Sequence, residues 1–185
     1  MLFNFDINAY EQAIKDSESG GDYSANNGIA KGAYQFTQST LNYLQQKYNL
    51  PALTVFDSST ASLQDEYFQS FVSDILDFIN TNNLQQYIGF PVIGANKYPY
   101  QVPINIYGLV AGAHIGGETG LRSFLLYGID HDDSPNHDGS GTFISDYIAK
   151  FSDEITTYLA ASSGSKKKYS CVVRYRRFIT IGIKK

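Results

Sequence analysis

The sequence predicts a mainly helical single domain, and three observations carry that expectation. Apolar residues recur at helical spacing in long stretches, most clearly Leu63, Tyr67, Phe68, Phe71, Ile75, Phe78 and Ile79. Residues that cap or stop helices punctuate those stretches. The chain has 185 residues, 43% of them hydrophobic and 17% charged, which suits one ordinary core and argues against disorder.

Asp6 or Asn8 can cap a first helix carrying Ile7, Tyr10, Ala13 and Ile14, and the Gly20-Gly21 pair stops it. Thr37 or Ser39 opens a second helix that Asn49 and Pro51 close. Ser58 or Ser59 opens the long third helix. The stretch "GFPVIGANKYPYQVPIN" reads as a loop or short hairpin because its prolines and glycines break helices. Asn105 can cap "IYGLVAGAHIGG", and "ETGLRSFLLYG" makes a further short helix. After the polar loop "IDHDDSPNHDGSG", a last helix places Ile144, Tyr147, Ile148, Phe151, Ile155 and Leu159 on one side. "SSGS" reads as a linker, and the final segment has strand-like, β-branched and aromatic content.

Charge divides the chain into a body, residues 1–161, and a basic tail, residues 162–185. The body holds all 18 acidic residues against six Lys/Arg, a balance of −12; the tail holds eight Lys/Arg and no acid, a balance of +8. An acidic body argues against nucleic acid as the main ligand, since phosphate contacts need a basic face. The tail suits anionic envelope polymers, lipid headgroups or an acidic partner, or else completes the fold. The single cysteine, Cys171, excludes an intramolecular disulfide and a Cys-based zinc site. No transmembrane run and no secretory signal are visible in the sequence.

Glu18 is the residue on which chemistry can be built. It falls four residues after Ile14, on the same apolar stripe, where the helix runs into a glycine-rich turn. A carboxyl so placed is poorly solvated, and desolvation favours the protonated form that a general acid needs. A glycosidic oxygen is a poor leaving group, so such an acid suits cleavage of a sugar bond. Spacing alone also allows a buried structural glutamate.

The stretch "ESGGDYSANNGIAKGAYQFTQSTL" resembles the signature of lytic transglycosylases in the lysozyme-like superfamily. There a Glu-Ser pair ends a helix and a "GxxQ(F/M)xxxT" segment comes after a short loop; here these are Glu18-Ser19 and Gly32 to Phe36 with Thr40. Gly112-Ala113-His114-Ile115-Gly116 is similar to a third element, with His114 where the family often has Asn, as in a phage-type "AHLGG" branch. "YIAKF" resembles the fourth, making Tyr147 the counterpart of a tyrosine on the last helix, with Tyr158 a weaker candidate. The match covers residues 17–151 and leaves out the tail.

The resemblance implies an α+β lysozyme-like domain, mainly helical, with a glycan cleft and a short β region. It implies cleavage between N-acetylmuramic acid and N-acetylglucosamine by Glu18 alone, acting as acid and then base, with a 1,6-anhydro product and no cofactor. It makes Ser19, Tyr34, Gln35, His114 and Tyr147 substrate-binding or orienting residues. Each has a plainer alternative: Ser19 as a helix cap, Tyr34 and Tyr147 as core, Gln35 as loop scaffold, His114 as a packed histidine.

Two rival functions stand beside this one. The first is hydrolysis, as in goose-type lysozymes, with Asp22 or a residue near Asp130 activating water. The second is a glycan-binding or structural module without turnover. The expected partner is the peptidoglycan strand; with no export signal visible, the phage-type resemblance implies delivery by a virion, a tail or a secretion machine to the cell envelope. Lys97 and Tyr98 to Tyr100 are candidates to line a glycan groove. His131, Asp132, Asp133, His137 and Asp138 have ligating side chains but lack the EF-hand spacing, and no bound metal is expected.

Overall fold

The computed structural model describes residues 5–130 and 143–162, and among these the structure is mainly helical. Five helices form: α1 (Ile7–Glu18), α2 (Gln38–Tyr48), α3 (Ala61–Thr81), α4 (Ile106–Tyr127) and α5 (Ile144–Ser162). Two antiparallel ribbons join them, β1 (Ala30–Lys31) with β2 (Phe36–Thr37), and β3 (Pro91–Ile93) with β4 (Gln101–Pro103). The basic tail from residue 163 and the acidic loop with His131, Asp132, Asp133, His137 and Asp138 lie outside the described residues.

Local chemistry explains the boundaries. Asp6, not Asn8, caps α1, accepting from the backbone of Asn8 and Ala9. Thr37, not Ser39, caps α2, and Asn49 ends it in the left-handed conformation. The third helix is preceded by a 3-10 turn, Ser58–Thr60, whose cap is Asp57 rather than a serine. Asp57 accepts from Ser59 while Thr60 reaches back to the Asp57 backbone, so two otherwise orphaned donors are satisfied. The two helices expected either side of Gly117 form one element, α4, broken at that glycine, where φ is 67°.

The core centres on Phe68 of α3. Its ring stacks on Tyr34 at 4.2 Å and on Tyr10 at 5.8 Å, and Tyr10 meets Phe151 of α5 at 5.9 Å. All four side chains are fully buried. They join α1, the first ribbon, α3 and α5 in one apolar unit, which is how distant segments are held about the end of α1.

α4 and α5 pack unusually close. Gly108, Gly112 and Gly116 lie one turn apart on the face of α4 that meets Ser152, Ile148 and Ile144 of α5. A side chain at Gly108 would run into the Ser152 hydroxyl and the Ile148 backbone carbonyl; one at Gly112 would lie 2.7 Å from Ile148 Cγ1. Helix propensity favours Ala over Gly by about 1 kcal/mol, while overpacking against backbone costs about 1–3 kcal/mol. The Gly108→Ala variant is therefore expected to be less stable than the wild type, read as a lower urea midpoint at unchanged slope.

Candidate functional site around Glu18

Glu18 is the last residue of α1, and residues 19–35 build its setting. Ser19 caps the helix end, its hydroxyl donating to the Ala33 carbonyl at 2.9 Å. Gly20 and Gly21 take φ of 67° and 83°, turning the chain away from the helix axis. Asn26 and Asn27 then hold their own downstream backbone N–H groups at 2.8–2.9 Å, leading the chain into β1. The result brings residues 32–35 back beside the end of α1.

A partly buried polar network fixes that returning loop. Asp65 of α3 accepts from the Tyr34 hydroxyl at 2.6 Å and the Tyr23 hydroxyl at 2.8 Å. Gln64 accepts from the Ala33 N–H at 3.1 Å and donates to the Tyr23 carbonyl at 3.0 Å. Gly32 is required where Gln64 and Phe56 press in: φ is 76°, and a Cβ would sit 2.9 Å from Phe56 Cδ1. Lys15 donates to the Tyr23 hydroxyl at 3.1 Å and pairs with Glu11 at 3.0 Å, closing the network onto α1.

Of the expected residues, Tyr147 meets Glu18 directly and His114 lies within reach of its charge. Tyr147 of α5 donates its hydroxyl to Glu18 Oε1 at 2.7 Å, across 129 positions of sequence. Glu18 and Tyr147 are both half-buried. His114 lies near enough to Glu18 that the carboxylate works to raise its pKa. Burial outweighs this and holds the imidazole below its ordinary value of 6.5. Its ring sits among Phe71, Phe68 and Phe36, with centroids 5.3, 6.3 and 6.4 Å away. Its Nδ1 is enclosed with no hydrogen-bond partner among the described residues.

Gln35 has φ of 49°, a left-handed conformation that a glutamine adopts only when its surroundings impose it. Its amide donates to the Gly32 carbonyl at 2.9 Å, so in this structure it braces its own turn. Ser19 likewise serves as a tie between helix end and loop. The expectation that Tyr34 stacks on a sugar gives way: its exposure is 0% and its ring is the stacking partner of Phe68. Burial and the adjacent Asp65 carboxyl push its phenol far above the usual range. The side chain of Tyr158 lies outside the described residues.

Asp22 and Asp130 are both engaged, while the acids of the loop after Asp130, expected as alternative bases for a water, lie outside the described residues. Asp22 accepts the Ser24 hydroxyl at 2.6 Å and its N–H at 2.8 Å, which holds the carboxyl below its ordinary range and weakens it as a base. Asp130 accepts the Ser145 N–H at 2.8 Å and the Ser145 hydroxyl, fastening the start of α5. The loop with Lys97 and Tyr98 wraps another acid: Asp146 Oδ1 accepts the N–H groups of Asn96, Lys97 and Tyr98 at 2.9–3.0 Å. Tyr98 also donates to Asp153 at 2.5 Å, and Tyr100 stays exposed.

Sequence reasoning missed Tyr10. Its hydroxyl is fully buried with no hydrogen-bond partner among the described residues. Burial raises its pKa most, and the charges of Glu18 and Tyr147 add to this, so it borders the same site. Its place eight residues before Glu18, on the stripe through Ile14, is the signal that could have found it.

His114 gives this region a pH dependence. Its folded pKa lies below the unfolded value of 6.5, so below neutrality the unfolded chain takes up the proton more readily. The stability His114 confers is complete above about pH 6.5 and is lost as pH falls from there through the folded pKa. A His114→Phe variant keeps an aromatic ring without the titration. Chemical unfolding at about pH 8 and about pH 5 is expected to show a smaller loss for the variant than for the wild type.

Comparison with protein-family models, curated proteins and solved structures finds no match to this chain.

Proposed function

We propose that the chain is a lysozyme-like glycan-strand lyase, a peptidoglycan lytic transglycosylase acting between N-acetylmuramic acid and N-acetylglucosamine. The observation that carries this reading is the 2.7 Å hydrogen bond from Tyr147 to Glu18, which aims a half-buried carboxyl from a helix end. The motif resemblance supports it, because the same two residues, with His114, stand at matching positions of three separate segments.

In this mechanism Glu18 donates its proton to the glycosidic oxygen as the bond from muramyl C1 to that oxygen breaks. The departing N-acetylglucosamine leaves with a free hydroxyl. The muramyl acetamido oxygen shields C1, and the C6 hydroxyl then bonds to C1 while Glu18 takes up its proton. One carboxyl serves both steps, and the substrate supplies the nucleophile. Tyr147 holds the Glu18 carboxyl in place, and the ties from Ser19 and Asp65 keep the 32–35 loop beside it. The engagement of Asp22 in its own turn leaves it no ready base for water, and the motif resemblance favours the single-carboxyl chemistry over hydrolysis.

Action on this polymer places the work at the bacterial envelope, with delivery by a virion, tail or secretion machine. No helix among the described residues is long and apolar enough to cross a membrane. Incubation of the purified chain with cell-wall sacculi tests the activity. Clearing of turbidity is expected, and intact sacculi at high enzyme concentration would leave the non-catalytic module as the better reading.

A further inference from the structure

Tyr147 sits in the first turn of α5, where a helix leaves its N–H groups without partners of its own. The hydroxyl that holds Glu18 therefore depends on backbone that frays unless something ties it. Two carboxylates supply the ties. Asp130 accepts the Ser145 N–H at 2.8 Å. Asp146 Oδ2 accepts the Phe143 N–H at 3.2 Å, as the acidic third residue of a capping box does. The other oxygen, Asp146 Oδ1, gathers the N–H groups of Asn96, Lys97 and Tyr98 at 2.9–3.0 Å. Beside it, Ser145 Oγ accepts the Ala95 N–H at 3.0 Å, and the Gly94 N–H donates to the Tyr98 carbonyl at 3.0 Å. Residues 94–98 are thus a strap lashed to the start of α5, with Asp146 only 3% exposed beneath it.

We infer that Asp146 is a positioning residue for the Glu18–Tyr147 pair: drawn onto the strap, it fixes the first turn of α5 and so the Tyr147 hydroxyl. The inference rests on the glycan-strand cleavage proposed above. Asp146 and Tyr147 are neighbours in the chain, one side chain on the strap and the next on Glu18 at 2.7 Å. A shift of that turn moves both. The N–H groups of Phe143, Asn96, Lys97 and Tyr98 match the roughly four acceptor positions of an ionised carboxylate. Asparagine puts an NH2 group in place of one oxygen, where it meets N–H donors head on.

The test measures cleavage of glycan strands by the full chain, well below its melting temperature. Asp146→Asn is expected to lower kcat about 10–100-fold at unchanged KM, since a misplacement on the order of 1 Å suffices. In the Tyr147→Phe background the same substitution should cost less than about twofold, because the two residues act in one line. Gly94→Ala loosens the strap from its other side, its Cβ running into the Tyr98 carbonyl and Asp146 Oδ1. It should give the same pattern, and it carries the test if Asp146→Asn does not fold. A wild-type kcat in the variant, or an equal loss in both backgrounds, would overturn the positioning role and leave the lyase reading standing. If the wild type cleaves nothing, the lyase reading falls, and the NMR signal of the labelled hydroxyl-bearing ring carbon of Tyr147 decides the positioning of that hydroxyl. In Asp146→Asn this signal should move toward its place in Glu18→Ala, where the carboxyl partner is gone; an unmoved signal refutes the inference.

Discussion

Glu18→Gln is expected to fold normally and to lose cell-wall cleavage by about 10²–10⁴-fold, the range for removing a general acid. The amide matches the carboxyl in size, and its oxygen can still accept the Tyr147 hydroxyl that now lies 2.7 Å from Glu18 Oε1. What it lacks is a transferable proton. Residual activity within about tenfold of wild type would remove Glu18 from the mechanism. An unchanged melting curve beside lost activity would separate chemistry from folding.

Phe68→Ala should have the largest effect on stability. Phe68 is fully buried, stacks on Tyr34 at 4.2 Å, and forms part of the walls around Tyr10 and His114. Truncating such a ring costs about 3–5 kcal/mol, because transfer energy is lost and a cavity remains. Against a total of about 5–15 kcal/mol this is a large fraction. For a chain of this size it lowers the melting temperature by roughly 6–20 °C. The 32–35 loop should loosen with it, so cleavage at temperatures well below melting should fall as well. A variant that melts within about 2 °C of wild type would show that the core does not centre on this ring.

Much of this is legible in the sequence where the determinants are local. The stripe through Ile7, Tyr10 and Ile14, the Asp6 cap and the Gly20-Gly21 stop place Glu18 at a helix end without any tertiary information. The long apolar stripe of α3 reads as core, and Phe68 is its centre. What is not legible depends on partners far away in sequence. The left-handed Gln35 requires the β1–β2 ribbon and the Gly32 turn, and nothing in its own neighbours demands that backbone. Tyr34 reads equally as sugar platform or core until Asp65 and Phe68 are brought to it, 31 and 34 positions later. Asp146 shows no sign in sequence that it gathers three N–H groups from the loop at 96–98. The glycines at 112 and 116 stand out in the sequence for their motif similarity, whereas it is their spacing with Gly108 that lets α5 approach.

The central claim is that a single carboxyl, Glu18, cleaves the strand while the substrate provides the nucleophile. Mass spectrometry of the soluble fragments released from purified sacculi tests this most directly. The account predicts muramyl ends that are lighter by one water than reducing ends, because C6 oxygen has closed onto C1, and it predicts that Glu18→Gln releases none. Fragments with ordinary reducing ends that take up the label from isotopically heavy water would contradict it, since water would then be the nucleophile.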